Sequence, residues 1–299
     1  MSGIFQIDYL ANGKLQYLFS TKNKLYIVDR NGVNLEKFPV TFPSPATNGV
    51  NVLDYDNNRI YRYFVACNDK KIYAYDKEGK LMTGWNFEGT KTEVTTPVQH
   101  FRIGGKDYIA FKDKHKVYIQ NRKGEPVAKT AAEFENSRNP LMLSIGSKPK
   151  IVATDTKGTI YYIDFEGNYT ENKVGNFGSN HFFKTDDLNS DNKPEFIFIN
   201  GKDLTITDEN GTILFTQKFA NTIQNEPNIY RFGPKQKKIG IVDAKANRIY
   251  LFDITGQTHP GFPLQGATEF SIGKTTQSSE KLNLIVGNNG GSLVCYELD

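Results

Sequence analysis

Tryptophan, methionine, cysteine and histidine are all scarce in this chain, and each scarcity narrows what it does. The 299 residues hold one Trp, three Met, two Cys and four His. Cys67 and Cys295 lie far apart inside strand-like runs, which excludes a spaced metal motif or a dense disulfide framework and reads as two separate small core residues. His100, His115, His181 and His259 show no metal spacing, although His100 and His181 fall on expected innermost strands. There is no Gly-x-Ser-x-Gly elbow, P-loop or His-Glu-x-x-His, so no catalytic residue and no organic cofactor is assigned. No run approaches the ~18 apolar residues of a membrane-spanning helix. Met1 to Leu10 also lack the basic and apolar regions of a signal peptide. Charge of one sign is missing too: 37 basic against 33 acidic residues leave +4, too little to argue for nucleic acid, and no nucleic-acid motif is present.

What the chain has in quantity is aromatic residues, 16 Tyr and 21 Phe, which suit pleated, half-buried surfaces. They are spaced by a repeat. Lys24-Leu-Tyr-Ile-Val-Asp-Arg-Asn-Gly32 returns as Lys71 to Gly79, Lys116 to Gly124, Thr159 to Gly167, Asp203 to Gly211 and Arg248 to Gly256, with a truncated copy at Ser292 to Glu297. Successive copies are 43 to 47 residues apart. Each unit reads as four short strands, A to D, separated by turn signals. Between C and D, Asp/Asn-x-x-Gly places a capping side-chain oxygen before a Gly able to take φ > 0. One four-stranded unit cannot bury both of its faces, whereas stacked units can, and this period is that of a propeller blade. The expectation is an all-β, seven-bladed β-propeller of four-stranded antiparallel blades in one domain, 1–299. The blades fall at about 3–45, 46–92, 93–138, 139–176, 177–221, 222–266 and 267–299. Asp299 follows directly on the C strand of the last copy, so that blade is expected to be three-stranded. The chain is then read as the C-terminal part of a longer protein that supplies the missing strand, since an open edge exposes unpaired backbone groups.

Asp187-Leu-Asn-Ser-Asp-Asn-Lys-Pro-Glu-Phe-Ile-Phe198 resembles the D-x-D-x-D-G-x-x-E opening of bacterial FG-GAP and VCBS-type propeller repeats. Pro260-Gly-Phe-Pro263, Thr83-Gly-Trp-Asn-Phe87 and Lys37-Phe-Pro39 look like the G-W-P element of such repeats, and the strand pattern is similar to pyrroloquinoline-quinone-like propellers. The resemblance implies an adhesion, scaffold or assembly module of the bacterial cell envelope or surface; the expected function is binding a protein or a glycan through one face, as a monomer. The quinoprotein enzymes of that wider group stack their cofactor on Trp, and Trp85 stands alone.

Three constellations are candidate sites. Asp187, Asn189, Asp191 and Glu195 place oxygens at positions 1, 3, 5 and 9 of a calcium-binding pattern, and the same spacing fits a polar hairpin closed by Asx turns. Blade 1 offers Asp8, Asn12 and Gln16 there, and blade 2 offers Asp54, Asp56 and Asn58 with Arg62 in the last place. The second constellation is a basic set on the B–C hairpins: Lys22, Lys24, Lys70, Lys71, Lys112, Lys114, Lys116, Lys157, Lys202, Lys245 and Arg248. These eleven face five acids there, while the C–D turns hold four basic and eight acidic residues, so one face is expected to be basic and to attract an anionic partner. The third is the pair of A-strand histidines. Set beside a carboxylate, either would suit the alternative function, a carbohydrate-active lyase or hydrolase working in the axial channel.

Overall fold

The computed structural model describes residues 3–144, 148–233, 236–275 and 281–298. Every sheet follows the repeat. Blade 3 is the clearest case: Gln99–Ile103, Lys106–Lys112, Val117–Gln120 and Pro126–Ala128 form one antiparallel sheet in chain order. Blades 1, 4, 5 and 6 are four-stranded in the same order, and blade 7 has three strands, Phe270–Gly273, Leu282–Gly287 and Leu293–Leu298. Blade 2 carries three strands plus an outer segment joined by a single bridge, Tyr75 to Leu81. The chain is thus an all-β, seven-bladed propeller.

The C–D turns show why the repeat is readable. In all six, the Gly N–H donates to the carbonyl of the Asp/Asn three residues earlier, as in Gly32 to Asp29 (3.0 Å) and Gly256 to Asp253 (3.0 Å). The Asp/Asn side chain accepts from the N–H groups two and four residues on, at 2.9 Å and 2.9 Å for Asp29. Gly256 sits at φ 83°, and a Cβ there would lie 2.1 Å from the Phe215 ring, so side chains other than hydrogen are excluded both by conformation and by space.

The chain divides into two compact units. The first comprises residues 1–143, 149–155 and 161–170, and the second residues 144–148, 156–160 and 171–299. In the first, apolar clusters fill the space between blades 1 and 2 (Leu18, Ile27, Tyr63, Val65), between blades 2 and 3 (Phe64, Ile72, Val98, Phe111) and between blades 3 and 4 (Ala110, Ile119, Leu141, Ile151). In the second, Ile197, Leu204, Ile239 and Phe252 join blades 5 and 6, and Ile249, Phe270, Leu284 and Val286 join blades 6 and 7. Neighbouring residues of one strand feed two different cores, as Ala110 and Phe111 do, because successive side chains point to opposite faces. At ~25 cal/mol per Å² of apolar area, each large side chain so buried contributes about 2–3 kcal/mol. Cys67 fits this scheme: it is buried, and burial pushes its thiol up to about 12. Cys295 does not. It is exposed on the last strand of blade 7, on the same sheet face as its exposed cross-strand partner Ile285, so the expected core position holds for one cysteine only.

Candidate functional site

The three A–B loops with acidic patterns share one backbone. Residues 4 and 6 of each are left-handed: Ala11 and Gly13, Asn57 and Arg59, Ser190 and Asn192. The leading carboxylate accepts from the N–H groups four and five residues on, in Asp8 (Asn12, 3.0 Å; Gly13, 3.1 Å), Asp54 (Asn58, 3.1 Å; Arg59, 2.9 Å) and Asp187 (Asp191, 3.0 Å; Asn192, 3.0 Å). In blade 5 the other oxygens are engaged as well. Glu195 accepts from the Leu188 N–H (2.6 Å) and from Asn189 Nδ2 (3.0 Å), and Asp191 accepts from the Lys193 N–H (2.8 Å). Burial raises the Glu195 pKa, and the charges of Asp191 and Asp187 add to this against the lowering bond from Leu188. The nearly buried ammonium of Lys237 lies 3.0 Å from Asp186 Oδ1 and 2.5 Å from the Asp187 carbonyl, supplying positive charge to the loop's start. In blade 1 the Arg59 guanidinium of the next blade pairs with the leading carboxylate Asp8 itself, at 3.0 Å. Among the described residues no group of three His, Cys, Asp or Glu is set to hold a metal ion.

His100 does stand beside a carboxylate, 2.7 Å from Asp107 Oδ1. The other oxygen of Asp107 is held by Arg122 (2.7 Å), which also reaches Asp56 (2.8 Å) and lies over the Tyr55 ring. Arg122 thereby ties blade 3 to blade 2, and the adjoining cleft, lined by Asp56, Arg102, Asp107 and Arg122, is not bordered by His100. His181 is fully buried just before its strand, with Nδ1 2.8 Å from the Gly178 carbonyl and the ring packed on Phe177 and Phe198. Trp85 is a packing residue between blades 2 and 3, its Nε1 donating to the Ile72 carbonyl at 2.7 Å.

Of the basic hairpin set, Lys22, Lys24, Lys70, Lys71 and Lys114 are exposed or nearly so in the first unit, and Lys116 is half-buried over the Tyr118 ring. In the second unit Lys157, Lys202, Lys245 and Arg248 lie at the surface, Lys202 donating to the Ala220 carbonyl at 2.7 Å. Lys112 departs from the expectation. It is 2% exposed, because it is still a strand residue, paired with Val117 and on the same side of the sheet as Ala110, and therefore points into the space between blades instead of into the turn. Burial lowers its ammonium to about 7, and Nζ has no hydrogen-bond partner. Two of the five acids also turn inward. Asp113 accepts from the His115 and Lys116 N–H groups (2.9 and 2.8 Å), from Thr92 N–H (3.2 Å) and from the Tyr118 hydroxyl (3.0 Å). Burial opposes ionisation there, but these bonds outweigh it and the Asp113 pKa falls. Asp243 is fully buried, accepting from the Ala246 N–H at 3.0 Å and from Asn221 at 3.1 Å. Ten basic side chains outside the core thus face three such acids, Asp69, Asp155 and Asp203. The surplus is larger than residue counting gives, because two of the acids serve the fold.

Next to Lys112 lies a cleft of about 550 Å³ on the first unit. Counting charges along hairpins misses it. Aligning the repeats by strand register reveals it, because the residue paired with the first apolar residue of the C strand is Ser20, Ala66, Ile199 and Val242 in blades 1, 2, 5 and 6, all buried, and Lys112 in blade 3.

Fold and surface together define a β-propeller with basic B–C hairpins and a lysine-floored cleft. No family model matches the chain, and no curated protein does. Solved structures match over its length: the crystal structure of BBS1N in complex with ARL6DN, soaked with mercury, has a TM-score of 0.62 at 11% identity, covering 99% of this chain and 92% of that one. The same complex soaked with lead has a TM-score of 0.64 at 10% identity, covering 99% and 91%. At such identity the likeness is one of fold.

Proposed function

We propose that the protein is a non-enzymatic binding propeller that engages a protein partner with an acidic surface through its B–C hairpins. The observation that carries this is the asymmetric burial of charge: ten of the eleven basic side chains of these hairpins stay outside the core, while two of the five acids, Asp113 and Asp243, are drawn into the fold. Such a surface concentrates and orients an anionic partner and speeds encounter with it. BBS1N, a propeller of similar fold, is found in complex with another protein, ARL6DN, which supports this kind of role. The finer reading is an FG-GAP/VCBS-type or pyrroloquinoline-quinone-like scaffold of the bacterial cell envelope or surface, taking a protein or a glycan. It rests on the resemblance of Asp187 to Phe198 and of Pro260 to Pro263. Cell fractionation tests the location, and recovery only in the cytosolic fraction overturns it.

Columns of immobilised poly-glutamate and of heparin test the face. The protein should be retained on poly-glutamate and released by salt, and a Lys70→Glu, Lys71→Glu, Lys114→Glu variant should elute at clearly lower salt. Flow-through of the parent protein, or unchanged elution of the variant, overturns the proposal. Retention on heparin alone moves it from a protein to a glycan.

A further inference from the structure

We infer that the cleft floored by Lys112 is a binding site for a carboxylate, with the Lys112 ammonium as its counter-charge and Thr96 and Asn136 as its neutral contacts. Lys112 Nζ, Thr96 Oγ1 and Asn136 Oδ1 all belong to residues lining this one cleft, and all three are buried atoms with no hydrogen-bond partner. A buried polar atom without a partner is costly and an unpaired charge more so, and three on residues lining one cleft favour a ligand that completes them. Their chemistry selects the ligand. An ammonium and a hydroxyl donate, which fits two carboxylate oxygens, while an amide oxygen accepts, which fits a hydroxyl or N–H beside that carboxylate.

The surroundings agree in sign. Lys70, Lys114 and Arg138 line the cleft with Lys112, against Glu93 and Asp113, and the Asp113 carboxylate is already filled by the bonds described above. About 550 Å³ lies within the range of small-molecule sites. Thr92, Thr95 and Ser137 complete a wall without aromatic or large aliphatic side chains, which disfavours an apolar ligand. Lys112 lines the cleft with Nζ itself buried, and the flexible lysine stem allows the ammonium to turn to the ligand. The position argues the same way: the register partners in blades 1, 2, 5 and 6 are Ser, Ala, Ile and Val, so the fold does not call for a lysine there.

This site rests on its own geometry and stands or falls separately from the protein-docking face. Its test is NMR of the full chain carrying ¹³C-lysine, with the Lys112 ε-carbon assigned by its loss in Lys112→Met. D-glucuronate and tri-glutamate are titrated in turn, with D-glucose and sodium chloride at matched ionic strength as controls. A saturable shift of the Lys112 signal, with its titration midpoint raised by a unit or more, is expected with an acid and not with either control. Response to glucuronate marks a free acid as the ligand class, and response to the peptide alone marks an acidic side chain. Asn136→Asp, which adds a negative charge at the site, should weaken binding at least tenfold. Absence of any Lys112 response to both acids, an equal response to chloride, or an undiminished response in Asn136→Asp overturns the inference.

Discussion

Replacing Lys112 by Met should stabilise the protein, and by an amount that depends on pH. The side chains are similar in volume, so packing changes little, while the cost of burying an amine without a partner disappears. Lys112 ionises at about 7 in the folded chain against 10.5 in the unfolded one. The folded state therefore binds fewer protons than the unfolded state between these values, and its stability rises with pH across that window; below 7 the full penalty applies. With 1.36 kcal/mol per unit, the penalty is about 4 kcal/mol at pH 7 and about 2 kcal/mol at pH 9. These are upper limits, since water entering the cleft reduces them. The charged groups lining the cleft are Lys70, Glu93, Asp113, Lys114 and Arg138, and none forms an ion pair with Nζ, so burial alone sets the shift. Urea denaturation at pH 6, 7, 8 and 9, followed by the fluorescence of Trp85 in the same unit, gives the difference between variant and parent directly. Lys112→Met should be the more stable throughout, with a gap that narrows by about 2 kcal/mol from pH 7 to pH 9. A gap independent of pH, or a variant less stable than the parent, refutes the reasoning.

Gly256→Ala should cost about 2–4 kcal/mol, combining left-handed strain with overpacking on Phe215, whereas Gly32→Ala, at φ 79° with open space around it, should cost about 1 kcal/mol; thermal melts of the two distinguish space from conformation. Arg122→Met removes the ion pair to the nearly buried Asp107 and should destabilise by about 3 kcal/mol, with partial recovery in Arg122→Met, Asp107→Asn. Calcium should leave the melting temperature unchanged, because the blade 5 carboxylates already accept backbone N–H groups and Lys237 already neutralises the loop's start. A calcium-dependent rise that is lost in Asp187→Ala would instead establish an ion site there.

The parts of the fold that are legible in the sequence are those where one residue type does one job. Asp253 and Gly256 are readable because only a capping oxygen and a residue tolerant of positive φ close that turn, and the pattern recurs in six blades. The outer strand of blade 2 is less so, since between Gly79 and Thr90 the segment makes a single β-bridge, Leu81 to Tyr75, and runs on to seat Trp85 against Phe64. The Asx loops carry an ambiguity that spacing does not resolve. Asp187, Asn189 and Asp191 are residue types suited to a cation and also to their own backbone, which they bind here, and the Lys237 ammonium beside the loop comes from 50 residues away in the next blade, where local spacing does not show it.

Lys112 shows where the more instructive difference lies. As a member of Lys112-Asp-Lys-His-Lys116 it reads as one more turn charge, and turn lysines are ordinarily solvated. The strand register decides otherwise. The position opposite the first apolar residue of the C strand lies inside the sheet stack, and Lys112 holds it, paired with Val117 as Ser20 is with Leu25 and Ala66 with Ile72. The first residue beyond the pairing is Asp113, whose carboxylate turns back to close the hairpin. Charge on a propeller face is therefore to be counted from the register outward, one residue later than the hairpin's apparent start. Counted so, blade 3 gives up one lysine and one aspartate from its exposed charge, and gains beneath that surface a cationic group whose partner the fold does not supply.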